Sequence, residues 1–205
     1  MGHMAKGRSD SMTPAARLTF YGGAGAVTGA NFLLETETQK ILIDCGLIQS
    51  SEFCDEINWS DFPYNPADID ALFVTHGHTD HIGRIPRLVS KGFRGRIYST
   101  APTKDIAKLM LEDALRVMKD ELAKRGLSRA PLYTEADIEN ALAQWEAHAY
   151  HETTLLKDGV SVRFLDAGHI LGSAMVEFTR ADKKFVFTGD LGNDHLALAR
   201  KTEEV

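Results

Sequence analysis

Cysteine is scarce: Cys45 and Cys54 are the only two in 205 residues. They stand nine positions apart and form no CxxC pair, so neither a structural zinc cage nor a disulfide framework is expected. Both are read as reduced, partly buried thiols. Long apolar runs are missing too: residues 71–74 and 185–187 fall far short of the roughly 20 residues a membrane-spanning helix needs. Residues 1–17 are polar with no apolar core, so no secretory leader is expected, and Gly2-His3-Met4 resembles an expression-vector remnant. A cytoplasmic protein with no membrane partner is the expectation. Positive charge is in deficit, with 23 Lys and Arg against 29 Asp and Glu and a net charge of −6. That total argues against a generic polyanion binder, because non-specific nucleic-acid affinity comes from neutralising phosphates.

What is present is the mixture of an ordinary globular chain, 43% hydrophobic and 25% charged. The charge is segregated. Arg84, Arg87, Lys91, Arg94, Arg96 and Lys104 follow one another with no acid between them, whereas Glu52, Asp55, Glu56, Asp61, Asp68 and Asp70 form a stretch with no cation. A block of this kind is usually a solvated face. Its other reading is a nucleic-acid contact through Arg84 and Arg87.

Short β-prone runs occur at 18–21, 31–36, 40–44, 71–75, 96–99, 161–166, 175–179 and 184–188, each closed by Gly, Asp, Thr or Pro punctuation. Between them lies a helical stretch. Thr103 is a candidate cap for a helix carrying Ile106, Met110, Val117 and Leu122 up to Gly126, and Thr134 with Asp137 resembles a capping box ahead of Ile138, Ala141, Leu142 and Trp145. The expectation is one layered α/β unit over 17–205, with a helical insert at about 102–148 and residues 1–16 as a vector remnant and flexible N-terminus.

Several motif readings fail. Gly22-Gly23-Ala24-Gly25-Ala26-Val27-Thr28-Gly29 lacks the Gly-Lys-Ser/Thr ending of a P-loop, has Thr28 where a dinucleotide fingerprint wants glycine, and precedes a β-prone run instead of a helix. His151-Glu152 starts like a zinc-protease HExxH but meets Leu155 at the second histidine position. The informative segment is Thr75-His76-Gly77-His78-Thr79-Asp80-His81-Ile82-Gly83, directly after an apolar run. Neutral imidazoles and carboxylates are what Zn²⁺ or a similar cation binds where a coordination position stays open for chemistry, and this set can serve two metals. Asp166-Ala167-Gly168-His169 and Thr188-Gly189-Asp190 again place ligand types at strand ends. Delivery of ligands from several strand ends to one edge is how α/β enzymes build sites.

THGHTDHIG, with Asp44 upstream and His169 and Asp190 downstream, resembles the metallo-β-lactamase superfamily. The stretch Tyr21 to Gly29, Asp44-Cys45-Gly46-Leu47 and the segment from Ala167 to Ala174 are similar to its β-CASP branch of RNA- and DNA-processing nucleases. The resemblance implies a metallo-β-lactamase-type αβ/βα sandwich, here as its N-terminal part without the β-CASP domain. It implies two zinc ions, with manganese as the substitute: His76, His78 and His169 on one, Asp80 and His81 on the other, and Asp190 between them. Asp80 and Asp190 are the catalytic candidates, and Asp44 orients the metal-binding loop without binding metal. The implied activity is metal-dependent phosphodiester hydrolysis, foremost of RNA. The alternatives are a small-molecule metallo-hydrolase of thioesterase or lactonase type, or an inactive fragment or scaffold. The chain itself is expected to be inactive and to hold its second ion weakly, and exposed apolar surface is expected to favour a homo-oligomer. His148, His151 and His195 are read as surface residues.

Overall fold

A computed structural model describes residues 16–49, 52–193 and 200–205. The chain opens with β1 (Arg17–Gly22), β2 (Asn31–Glu35) and β3 (Lys40–Ile43), an antiparallel meander whose second turn closes through Thr36 N–H on the Gln39 carbonyl at 2.8 Å. Helix α1 (Glu52–Trp59) follows, then β4 (Ala71–Phe73), the short α2 (Thr79–Ile82), α3 (Ile85–Ser90), β5 (Arg96–Thr100), α4 (Ala101–Lys124), α5 (Glu135–Ala143) and β6 (Trp145–His148). The last four strands are β7 (Thr154–Leu155), β8 (Ser161–Asp166), β9 (Ala174–Arg180) and β10 (Lys183–Phe187).

Strands β1 to β6 form one sheet in chain order, with β3 to β6 parallel. Strands β10-β9-β8-β7 form a second, antiparallel sheet. Period-2 alternation sends neighbouring side chains of β3 and β4 to opposite faces, and both faces are buried, as parallel strands require. Leu42 and Leu72 point to the helices, where they meet Ile85, Leu88, Leu111, Leu115 and Ile138. Ile41, Ile43, Ala71 and Phe73 point to the second sheet and meet Val162, Phe164, Val176 and Phe178. The described residues therefore stack as helices, first sheet, second sheet. Among them no helix is long and apolar enough to cross a membrane.

The helical region departs from the sequence reading in three ways. Helix α4 begins earlier, with Thr100 as N-cap and Pro102 in the first turn, so Thr103 lies inside it. Its buried stripe is Thr103, Ala107, Leu111, Leu115 and Leu122, whereas Val117 is exposed. Its end is as expected: Gly126, at φ +64°, donates to Ala123 and Leu127 N–H reaches the Leu122 carbonyl at 3.0 Å, a Schellman closure. Trp145 leaves helix α5, whose Thr134–Asp137 capping box is present, and starts β6. Its i+7 position suited a helix face, but pairing with Ile97 and an indole N–H donated to Ser99 Oγ at 2.8 Å hold it on the sheet. Helices α4 and α5 are thus the crossover between two adjacent parallel strands, and the expected insert at 102–148 is part of the layered fold. β7 is the other strand the sequence did not announce. Cys45 is fully buried, which pushes its thiol up to about 12, and the side chain of Cys54 lies outside the described ones.

Candidate metal centre

The parallel strands β3 and β4 end side by side, and their C-terminal edge carries the site. Asp44 follows β3 and is fully buried in the left-handed region at φ +57°. A non-glycine residue there is strained by about 1 kcal/mol or more. Its carboxylate supplies the compensation. Oδ1 accepts Thr75 N–H at 2.8 Å, and Oδ2 accepts the Thr75 hydroxyl at 2.8 Å and faces His81 Nδ1 at 2.7 Å. Gly46 leaves room for this arrangement, since a Cβ on it would fall 1.6 Å from the Asp80 carbonyl oxygen.

His76 and His78 leave the end of β4, and Asp80 and His81 ride on α2. His169 follows β8 and Asp190 follows β10, so both sheets contribute. His76 Nε2 lies 3.1 Å from His78 Nδ1, and His169 Nε2 lies 3.3 Å from the same His78 atom. Asp190 Oδ2 stands 3.7 Å from His76 Nε2 and 3.6 Å from His169 Nε2. One donor atom from each of His76, His78, His169 and Asp190 thus lies within 4.8 Å of all the others. A tetrahedral ion with bonds of about 2.0–2.1 Å sets its ligand atoms about 3.3–3.4 Å apart, so the donor set fits a cation of that size. The other Asp190 oxygen, Oδ1, faces His81 Nε2 at 3.4 Å, and Asp80 Oδ2 stands 3.8 Å from that nitrogen.

The histidines are not electrostatically equivalent. Burial, with the neighbouring His81, His78 and His169 charges adding to it, drives His76 down to about 2. Burial also lowers His78, with His169 beside it. These imidazoles are neutral at physiological pH, the form that binds metal. Burial pulls His81 down as well, but the Asp44 charge and hydrogen bond, with Asp80 and Asp190 behind them, override it and raise His81 to about 9.

Lys91, Arg94 and Arg96 of the basic block are exposed, but its first two arginines are not part of an exposed cationic face. Arg84 is buried, its guanidinium donating to the Ser60 carbonyl at 3.1 Å and lying 4.3 Å from the centre of the Phe62 ring. Arg87 donates to the Trp59 carbonyl, and Lys91 pairs with Asp61 at 2.9 Å. The proposed nucleic-acid contacts Arg84 and Arg87 are corrected accordingly: both tie the segment after α1 to α3, and the acidic stretch supplies one of the partners. His148 is also corrected from surface to mostly buried, between Thr154 Oγ1 at 3.1 Å and Glu146 at 3.4 Å. His151 is exposed beside Glu203, and His195 lies outside the described residues.

Two residues that the sequence did not flag organise the site. Thr75 is a β-branched strand residue that reads as sheet, and only the fold brings Asp44 to its hydroxyl. Ser173 Oγ accepts N–H from His169 at 3.0 Å and from Ile170 at 3.2 Å, closing the loop that carries the third histidine.

The metallo-β-lactamase fold protein YhfI from Bacillus subtilis superposes with a TM-score of 0.50 at 17% identity, over 85% of this chain and 63% of that one. The Thermus thermophilus ribonuclease TTHA0252 is 36% identical over 177 residues, 86% of this chain and 38% of that protein. The transcription termination factor FttA of Cenarchaeum symbiosum is 34% identical over 180 residues, 85% of this chain and 27% of that protein. The layered fold is that of metallo-β-lactamase fold proteins, and together with the two sequence relatives it places the chain in the β-CASP branch of that superfamily. The chain belongs to the family described as anti-Pycsar protein Apyc1, whose model matches residues 16–205. The chain spans well under half the length of the two curated relatives.

Proposed function

We propose that this chain carries the metal centre of a phosphodiester hydrolase that acts on RNA in the cytoplasm, with zinc as the working ion and two ions at the complete site. The observation that carries this reading is the placement of one carboxylate between two donor sets: Asp190 Oδ2 toward His76 and His169, and Oδ1 toward His81. The relatives, a ribonuclease and a transcription termination factor, support RNA as the substrate class. His76, His78, His169 and Asp190 would hold one ion, and Asp80, His81 and Asp190 the other. Ions so held would lower the pKa of a water and neutralise charge at phosphorus.

The chain's own groups do the positioning. Asp44 fixes the His81 ring by its Nδ1 edge, leaving Nε2 for the site. Asp190 keeps the two donor sets in register. Asp80, on the rim of the site beside His81, is the carboxylate available to accept or return a proton as the phosphodiester is cut. The second donor set has only Asp80, His81 and the shared Asp190 among the described residues, so turnover by the 205-residue chain alone is expected to be poor.

The test is hydrolysis of single-stranded RNA by a protein carrying this segment, before and after chelation and after return of Zn²⁺ or Mn²⁺. The reading expects loss and recovery. Undiminished RNA cleavage in chelator would defeat it, as would efficient thioester or lactone hydrolysis without action on RNA.

A further inference from the structure

The two loops that bear the histidines meet on a third element. Gly77, between His76 and His78, lies against α4, and a Cβ placed on it would fall 2.6 Å from Ile106 Cγ2. The loop after His169 docks one turn earlier on the same helix. The Gly172 carbonyl accepts from Thr100 Oγ1 at 2.6 Å and from Thr103 Oγ1 at 2.8 Å. Gly172 is held at φ +82°, where a Cβ would meet Thr103 N at 2.7 Å and Pro102 Cβ at 2.8 Å. Thr103 is fully buried in the first turn of the helix, where a hydroxyl needs a partner; it donates to the Gly172 carbonyl of the His169 loop, with Thr100 Oγ1 beside it at 3.0 Å.

We infer that the first two turns of α4 set the distance between the His76–His78 loop and the His169 loop, making Thr103 and Ile106 positioning residues for the metal centre. The inference rests on the reading of His76, His78, His169 and Asp190 as ligands. A helix is a stiff spacer, and four of the donor pairs lie 3.1–3.7 Å apart, so a shift of a few tenths of an ångström in either loop changes the fit to an ion. Partners outside the ligand set that orient ligands typically contribute about 10–100-fold in metal affinity.

The experiment is Zn²⁺ affinity of the full chain, read by competition with a chromophoric chelator, together with the absorption spectrum of the Co²⁺-substituted protein. Thr103→Val keeps the shape and removes the hydroxyl; affinity should fall about tenfold or more with an altered Co²⁺ spectrum, and Thr103→Ser should restore both. Gly77→Ala should weaken binding similarly, and adding Ile106→Ala, which removes the obstructing methyl, should recover most of it. Leu115→Ala, farther along the same helix, should lower the melting temperature and leave affinity within about threefold. Should Thr103→Val fail to fold, the Gly77/Ile106 pair decides. Unchanged affinity in Thr103→Val or Gly77→Ala overturns the inference, as does a Gly77→Ala defect that Ile106→Ala does not relieve. No Zn²⁺ binding by the unmodified chain would instead defeat the ligand reading, and this inference with it.

Discussion

The two oxygens of Asp190 look onto different chemistry. Beyond Oδ2 stand three imidazoles, of which burial holds His76 and His78 in their neutral form, ready to donate lone pairs. Beyond Oδ1 stands His81, made an imidazolium by the buried Asp44 carboxylate, with Asp80 beside it. One side can take a cation as it is, whereas the other must give up a proton first. The difference lies in the layer beneath the ligands: nothing anionic backs His76, whose Nδ1 meets the Thr75 hydroxyl at 3.1 Å, while His81 is backed by a full charge. Identical side chains a few residues apart thereby acquire opposite protonation.

The largest test removes a donor from the ready side. His76→Ala should reduce Zn²⁺ affinity by more than the roughly 100-fold that the loss of an orienting partner can cause, and RNA cleavage should fall in parallel, by direct titration and rate measurement. Asp44→Asn keeps the shape and deletes the charge beneath His81. It should weaken the second ion about 10–100-fold while leaving the first within about threefold, measured by stepwise metal titration. Equal weakening of both ions would show that the two sides are not independent.

Arg84→Ala should lower stability by about 1–3 kcal/mol in chemical denaturation, because it strips a buried guanidinium from the Ser60 carbonyl and the Phe62 face. The salt dependence of RNA binding should stay unchanged; a flatter slope would return Arg84 to the substrate. A further effect is on stability against pH in the metal-free chain. His76 binds its proton less readily folded than unfolded, so its contribution is present above about 6.5 and is lost as pH falls toward about 2. His81 does the reverse, contributing below about 6.5 and losing that contribution as pH rises through about 9. These two groups together place a stability maximum near pH 6.5, and saturating metal should flatten the alkaline limb.

The ligand types were legible in the sequence because metal chemistry admits few residues and His76, His78, Asp80 and His81 crowd one strand end. His169 and Asp190 were legible through their strand-end contexts, and Asp44 through the resemblance to the family. The rest was set by tertiary partners. Trp145 satisfied a helical spacing and a strand position equally, and Ile97 with Ser99 decided between them. Arg84 and Arg87 carried the signature of a basic face, yet local sequence could not show that the Trp59 and Ser60 carbonyls would come within reach. Thr75 and Ser173 lie inside the recognised segments without a sign of their own role, and Thr103 read only as a helix cap. Their importance lies in hydrogen bonds to groups that are distant in the chain or, for Ser173, that close a loop.

The central claim is the asymmetry across Asp190, and proton-linked calorimetry of the metal-free chain tests it most directly. Zn²⁺ titrations at pH 7.5 in buffers of different ionisation enthalpy give the protons released at each step. The account predicts a tight first step with little proton release and a weaker second step releasing about one proton more, as His81 surrenders its charge. Two equally tight steps with equal proton release would contradict it.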